Sequence, residues 1–320
     1  MSEQVAAVVV PSLPDDPNLR DCVEALNAQT IRGKLRIVVS IDGRGEPPEG
    51  VRRLVDLVLT GPGSGPAAAR NRGWRASELP YVMFTDADCV PEPSWAEEML
   101  RAMRTGVGGV KGSYSRGGRR TIQRLAQVEF EERYRLLSRS EDVDLVDTYS
   151  ACFTREALES VGGFDESFPL PDHEDVDLSY RLKTAGYRLV FHRPARVAHR
   201  HQPTWIAYLR MKLSRGKWRM KVVRSFPGKA ASDSYTPAML KVQLVLISLL
   251  LPVLVSSAMM PYLSLMWLAA FVITTLPLVR VTLAVDTAVA PMVPAFALCR
   301  GAALLAGMTM GLVRFWRKSC

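Results

Sequence analysis

Tyr81 to Asp88 reads YVMFTDAD: three apolar residues behind a tyrosine, a threonine, then two carboxylates separated by one alanine. A short apolar run that ends in polar turn residues predicts a buried strand with chemistry at its carboxyl end. Two similar runs lie upstream. Val5 to Val10 leads into Pro11-Ser12-Leu13-Pro14, and Leu35 to Ile41 ends at Asp42-Gly43. Between the first two, Asp16-Pro17 opens a helix with Leu19, Cys22, Val23 and Leu26 on one face. Between the second and Tyr81, the loop Gly61-Pro62-Gly63-Ser64-Gly65-Pro66 precedes a small-residue helix carrying Arg70 and Asn71. Ser94-x-x-Glu97 predicts a capping box for the next helix. Strand alternating with helix predicts an α/β fold with a mostly parallel sheet and right-handed crossovers, which binds ligands at the carboxyl ends of its strands. Pro11, Ser12, Asp42 and Asp86 all fall there.

The charge is unevenly placed. The 320 residues carry a net charge of +9, yet residues 1 to 177 hold 21 basic and 30 acidic side chains. Leu178 to Ser232 then holds 14 Lys and Arg with no Asp or Glu. Beyond it the chain turns apolar: Val242 to Val279 contains no charged residue, nearly twice the length that crosses roughly 30 Å of hydrocarbon. A break near Ser256, Ser257 and Pro261 makes this a transmembrane hairpin, with spans at about 242–260 and 262–279. A third apolar stretch, 288–313, is interrupted only by Arg300. Its length argues for three crossings, which is the expectation. The cations Arg314, Arg317 and Lys318 behind it argue for two crossings and a helix at the membrane surface.

Between sheet and hairpin, Trp205, Leu209, Leu213, Trp218 and Val222 interleave with seven Lys and Arg, the pattern of an interfacial helix. The expected organisation is therefore 1–203 as the catalytic domain, 204–237 as a basic amphipathic segment and 238–320 as a membrane region. The basic stripe faces lipid headgroups in this reading, and no nucleic-acid partner is expected. Five scattered cysteines without a CxxC pair fit a reducing compartment. No signal peptide is expected, since Val5 to Val10 is too short for one.

Asp86 and Asp88 are hard oxygen ligands suited to Mg²⁺ or Mn²⁺, and an ion there would bridge nucleotide phosphates. Glu174-Asp175-Val176-Asp177 opens a helix that stops at Gly186. One of its carboxylates serves the helix dipole, and Glu174 or Asp175 facing the metal site would act as a general base.

Taken in order, Val8 to Ser12, Cys22 to Thr30, Val38 to Gly43, Ala69 to Gly73, Phe84 to Asp88, Val161 to Glu166 and Glu174 to Leu182 resemble the signature of family 2 glycosyltransferases over residues 5 to 200. The resemblance implies a GT-A fold, a nucleotide-sugar donor and inverting, metal-dependent transfer. It places the metal on Asp86 and Asp88 and the base on Asp175, with nucleotide contacts at Pro11, Ser12, Asp42, Arg70 and Asp86. It also makes His199 a candidate third ligand. Two departures matter. Ile41-Asp42-Gly43-Arg44 stands where many members have Asp-Asp-Gly-Ser, so a uridine base does not follow. Ser214-Arg215-Gly216-Lys217-Trp218 replaces the Gln-x-x-Arg-Trp of processive members, which favours transfer of a single sugar.

A hydroxyl acceptor needs base assistance and a polyprenyl phosphate needs little. The expected enzyme is thus a hexosyltransferase acting on a lipid-linked saccharide or glycolipid at the cytoplasmic face of a prokaryotic plasma membrane, in envelope polysaccharide or glycolipid synthesis. The alternatives are a polyprenyl-phosphate glycosyltransferase and a silent membrane adaptor; the intact Asp86, Asp88 and Asp175 speak against the adaptor.

Overall fold

Val8, Val9 and Val10 lie fully buried in the first strand, β1 (Ala6–Ser12), of a computed structural model that describes residues 3–231 and 233–316. Arg317, Lys318 and Cys320 lie outside the described residues. The chain divides into two compact units, one formed by the residues up to Arg116 with Leu137–Arg200, the other by Gly117–Leu136 with the chain from His201 onward.

After β1 come α1 (Leu19–Asn27), whose Leu19, Cys22, Val23 and Leu26 are buried as their spacing demands, then β2 (Leu35–Asp42) and β3 (Leu57–Gly61). Sequence reading passes over β3. It is a half-buried edge strand whose apolar run, Leu57-Val58-Leu59, is only three residues long before Thr60-Gly61. Next are α2 (Pro66–Arg75), β4 (Tyr81–Phe84), β5 (Cys89–Pro91), α3 (Trp95–Ala102), β6 (Val107–Arg116) and α4 (Thr121–Leu137), the last belonging mainly to the second unit. The first unit closes with β7 (Ala151–Thr154), α5 (Arg155–Ser160), α6 (Glu174–Thr184) and β8 (Arg188–His199). Ser94 occupies the N-cap of α3 but makes no side-chain cap bond, so the capping box does not form. Glu97 instead accepts from Thr30 and pairs with Arg101.

The eight strands run in the order β3-β2-β1-β4-β7-β6-β8-β5. The first four pair in parallel, as do β6 and β8, while β7 and β5 are antiparallel to their neighbours. α2 lies close on β1: a Cβ on Gly73 would stand 2.3 Å from Val9 Cγ1, so only glycine permits that contact. Parallel pairing of β1 with both β2 and β4 brings Ser12, Asp42 and Thr85-Asp86 to one edge of the sheet.

In the second unit, α7 (Trp205–Ser225), α8 (Gly228–Ala231), α9 (Ala238–Ser248), α10 (Leu250–Ser256), α11 (Tyr262–Val285) and α12 (Val293–Trp316) follow. α11 and the stretch Thr287–Trp316 are each long and apolar enough to cross a membrane, and α9 with α10, bent by 44°, makes a third candidate. The chain breaks between α10 and α11 at 257–261, where Ser256, Ser257 and Pro261 mark the turn. α7 departs from the expected face. Trp218 and Val222 are buried and Trp205, Leu209 and Leu213 are half-buried, because α12 packs along this side of the helix.

A buried ionic hub joins α4, α7, α9 and α12. Glu129, 1% exposed, accepts from Lys212 Nζ at 2.7 Å, Arg133 Nη2 at 2.6 Å and Tyr208 Oη at 2.7 Å. Arg300 approaches it at 3.9 Å and donates to Gln243 Oε1 at 3.2 Å. Burial raises the cost of charging Glu129, but Lys212, Arg133 and Arg300 outweigh it and hold the carboxyl well below its ordinary value. Removing the one carboxylate strands three buried cations. Glu129→Gln is therefore expected to cost about 3 to 5 kcal/mol, the usual penalty for breaking a buried charge cluster. A thermal unfolding scan in detergent checks this, with Glu141→Gln, at an exposed position, as the comparison.

Candidate active site

Arg70 stands on α2 behind the glycine-rich loop and is 2% exposed. Its Nη2 donates to Asp86 Oδ1 at 2.8 Å and its Nη1 to Glu174 Oε1 at 2.6 Å. One guanidinium thus ties the carboxyl end of β4 to the first turn of α6, residues 88 positions apart in sequence. A planar, permanently charged fork suits this better than an ammonium. Glu174 is 2% exposed, and its Oε2 has no hydrogen-bond partner among the described residues. Burial pushes its carboxyl up to about 7; Arg70 opposes the rise and the neighbouring Asp175 adds to it. The Glu174 carboxyl is thus enclosed and committed to Arg70. Asp175 is half-buried, accepts from the Val176 amide at 2.8 Å, and is the carboxylate of the pair with solvent access.

Asp88 and His199 come together through strand register. β5 pairs antiparallel with β8 so that Cys89 faces His199, and the residue before Cys89 meets the imidazole at 3.1 Å from Asp88 Oδ2 to His199 Nε2. Burial raises the Asp88 carboxyl, but the His199 contact outweighs it and sets the carboxyl below its ordinary value. His199 stacks on Tyr114 at 5.0 Å, and Tyr114 on Tyr149 at 3.7 Å. Tyr149 is anchored in turn: its carbonyl accepts from Thr85 Oγ1 at 3.0 Å and its ring lies 4.8 Å from buried Lys111, which pairs with Asp147. Sequence reading misses this column entirely, since Tyr114, Tyr149 and Lys111 belong to no local motif.

No group of three His, Cys, Asp or Glu side chains close enough to cage an ion occurs among the described residues. Asp86 is turned to Arg70. Asp88, half-exposed, and His199 nonetheless fit a divalent cation, because Mg²⁺ and Mn²⁺ are commonly held by one or two side chains and complete their shell with phosphate oxygens and water. Of Asp86, Asp88 and His199, the first is thus a partner of Arg70 and the other two are paired with each other.

The remaining expected residues take supporting places. Asp42 accepts from the Ser64 amide at 2.9 Å and the Gly65 amide at 2.8 Å, so both its oxygens hold the glycine-rich loop. Gly65 needs to be glycine, with φ +99° and Pro169 O 2.8 Å from a would-be Cβ. Beside Asp42 an open cleft of about 440 Å³ is lined by Gly43, Arg44, Gly45, Glu46, Thr60, Gly61 and Pro62. Pro11 is half-buried at the end of β1, and Ser12 Oγ donates to Leu13 O at 2.9 Å. Asn71 accepts from the Phe164 amide at 2.9 Å and donates to Glu166 Oε1 at 2.7 Å, which fixes the Gly162-Gly163-Phe164 segment beneath Arg70.

The sequence profile of the Glycosyltransferase like family 2 matches residues 4–216. The chain belongs to this family. The pre-mycofactocin glycosyltransferase of Mycobacterium tuberculosis is 30% identical over 227 residues, covering 64% of this chain and 45% of that protein. Glycosyltransferase AglE of Haloferax volcanii is 24% identical over 202 residues, 58% of this chain and 63% of its own length. The chain thus spans about half to two-thirds of the length of these curated relatives. The mannosyltransferase PcManGT of Pyrobaculum calidifontis, solved with GDP-Man and Mn²⁺, superposes with a TM-score of 0.57 at 19% identity, covering 99% of this chain and 89% of that one. TarS of S. aureus gives 0.51 at 13% identity, covering 96% of this chain and 55% of that one. The fold is GT-A.

Since Glu174 must be ionised to hold Arg70, protonation at acid pH loosens the clamp. The kcat/KM of this family member is expected to fall as pH drops below about 7. Glu174→Gln, neutral at every pH, is expected to lower kcat/KM at pH 8 by about 10-fold or more and to remove that acid limb, measured as a pH profile.

Proposed function

We propose that the chain transfers one sugar from a nucleotide-sugar donor to a hydroxyl of a lipid-linked saccharide or glycolipid, with inversion at the anomeric carbon, at the cytoplasmic face of a membrane. The observation that carries this reading is the Arg70 clamp, which ties the Asp86 strand end to the helix bearing Asp175. Asp88 and His199 would hold Mg²⁺ or Mn²⁺ beside that strand end. Bound there, the ion would supply positive charge opposite the departing diphosphate. Mn²⁺ and a nucleotide sugar in the structure of PcManGT support the same pairing of ligands here.

The acceptor oxygen attacks the anomeric carbon as the bond to the diphosphate oxygen breaks, and the leaving nucleoside diphosphate takes the electron pair. Asp175 receives the hydroxyl proton. Attack and departure on opposite faces of the sugar give inversion. Glu174, enclosed against Arg70, positions that arginine and takes no proton from the acceptor. The open cleft beside Asp42, with Arg44 on its wall, supports recognition of a base without presuming uridine.

Solubilised protein incubated with Mn²⁺ and a panel of nucleotide sugars, GDP-mannose among them, is expected to release nucleoside diphosphate with one donor when lipid acceptor is present. Asp175→Asn is expected to lower kcat about 10²- to 10⁴-fold with little change in the donor KM. Unchanged acceptor-dependent transfer in that variant removes Asp175 as the base. Transfer onto a polyprenyl phosphate with Asp175→Asn fully active would instead favour an anionic acceptor.

A further inference from the structure

α7 and α12 run side by side in the same direction over their whole lengths. At their starts, the Trp205 and Tyr208 rings meet Phe296 at 6.2 and 5.4 Å. In the middle the backbones touch. A Cβ on Gly216 would lie 2.3 Å from Leu304 O, one on Gly307 would lie 2.0 Å from Leu213 O, and one on Gly311 would lie 2.4 Å from Lys217 O. At their ends Trp218 meets Phe315 at 5.4 Å, and Arg224 donates to the Phe315 carbonyl. Small residues at each crossing point make this seam tight and leave no position along α12 where the two helices part.

The partner decides the depth. α7 carries Arg210, Lys212, Arg215, Lys217, Arg219, Lys221 and Arg224 and no acidic residue. Lys212 and Arg219 are paired with Glu129 and Asp233, while Arg210 and Arg224 stand exposed. Such a helix does not enter hydrocarbon, where Lys and Arg are the most costly residues to place. A helix bound to it from end to end shares its level, however apolar its own sequence. α12 adds exposed Met310, Val313 and Trp316 beside those cations, a combination that suits the boundary between acyl chains and anionic headgroups. The hairpin differs in having no charged residue from Val242 to Val279, and Leu251, Val255, Leu265, Met266 and Ile273 are exposed along α10 and α11, as lipid-facing helices require.

We propose that the chain crosses the bilayer twice, by α9–α10 and α11, and that α12 lies with α7 as a two-helix raft in the headgroup layer of an anionic leaflet, on the side that holds the N-terminal unit. No apolar stretch separates β8 from α7, so those two share a side. Two crossings also return Arg314, near the end of α12, to that side, in keeping with the positive-inside tendency. The apolar length of 288–313 gives three crossings only while α12 is considered without its partner.

Two measurements on the full chain in sealed phosphatidylglycerol-containing vesicles test this. The first uses Cys299→Ser and Cys320→Ser with a short protease-cleavable tag behind position 320 and Met259→Cys at the hairpin tip, where Met259 is exposed. Protease added outside is expected to remove the tag in the same vesicles in which it digests the N-terminal unit, while an impermeant maleimide reaches Met259→Cys only after the vesicles are opened. A tag that stays protected while the N-terminal unit is digested overturns the proposal, as does external labelling of Met259→Cys in those vesicles. The second places a spin label at Val313→Cys or Ile273→Cys. The label at 313 is expected at headgroup depth and that at 273 near mid-bilayer. A label at 313 as deep as that at 273, or one fully in water, overturns the raft.

Discussion

The catalytic unit depends on one buried guanidinium held between two carboxylates. Arg70 has almost no contact with water, so its permanent charge can be buried there only because Asp86 and Glu174 answer it. The consequence is geometric as well as energetic. A strand end and a helix start, far apart in sequence, are drawn to a common point at the carboxyl edge of the parallel strands. Remove either acid and a buried cation is left with half its compensation, so the clamp is held by mutual need rather than by the strength of a single contact. Asn71, the next residue of α2, works in the same direction by fixing Phe164 under the arginine.

The second unit is organised by the same logic with the signs reversed. Here one carboxylate, Glu129, gathers Lys212, Arg133 and the more distant Arg300 from three other helical positions. Arg300 lies inside the apolar stretch 288–313 of the chain, where an unpartnered charge would be costly; Glu129 and Gln243 account for its presence. The glycine seam between α7 and α12 adds a steric constraint that the hub alone does not impose. Together they set which helices of the apolar tail travel as a pair.

Legibility in the sequence followed the range of each interaction. The strand-ending acids, the helix face of α1 and the break near Ser256 were all local patterns and stand where those patterns put them. Asp42 was legible as a strand-end acid, but its use, stapling the Ser64 and Gly65 amides, was not, because the loop it holds lies beyond the next strand. Ser94-x-x-Glu97 had the spacing of a capping box, yet Glu97 found Thr30 and Arg101 instead, and local spacing lost to available partners. The stack of His199, Tyr114 and Tyr149 joins three separate strands and loops, so no window of sequence contains it.

The sequence by itself determined the alternation of strand and helix, the acids at the strand ends, the ordered family signature and the separation of an acidic half from a basic and apolar one. These follow from residue periodicity and composition, which act over a few neighbours. Only the tertiary structure decided that Glu174 faces Arg70 while Asp175 keeps solvent access, that Asp88 meets His199 through the register of β5 on β8, and that α12 is bound along its length to a helix full of cations. Each of those depends on which groups a fold brings within a few ångströms, and Coulomb pairing and steric fit at that range leave no trace in a linear pattern.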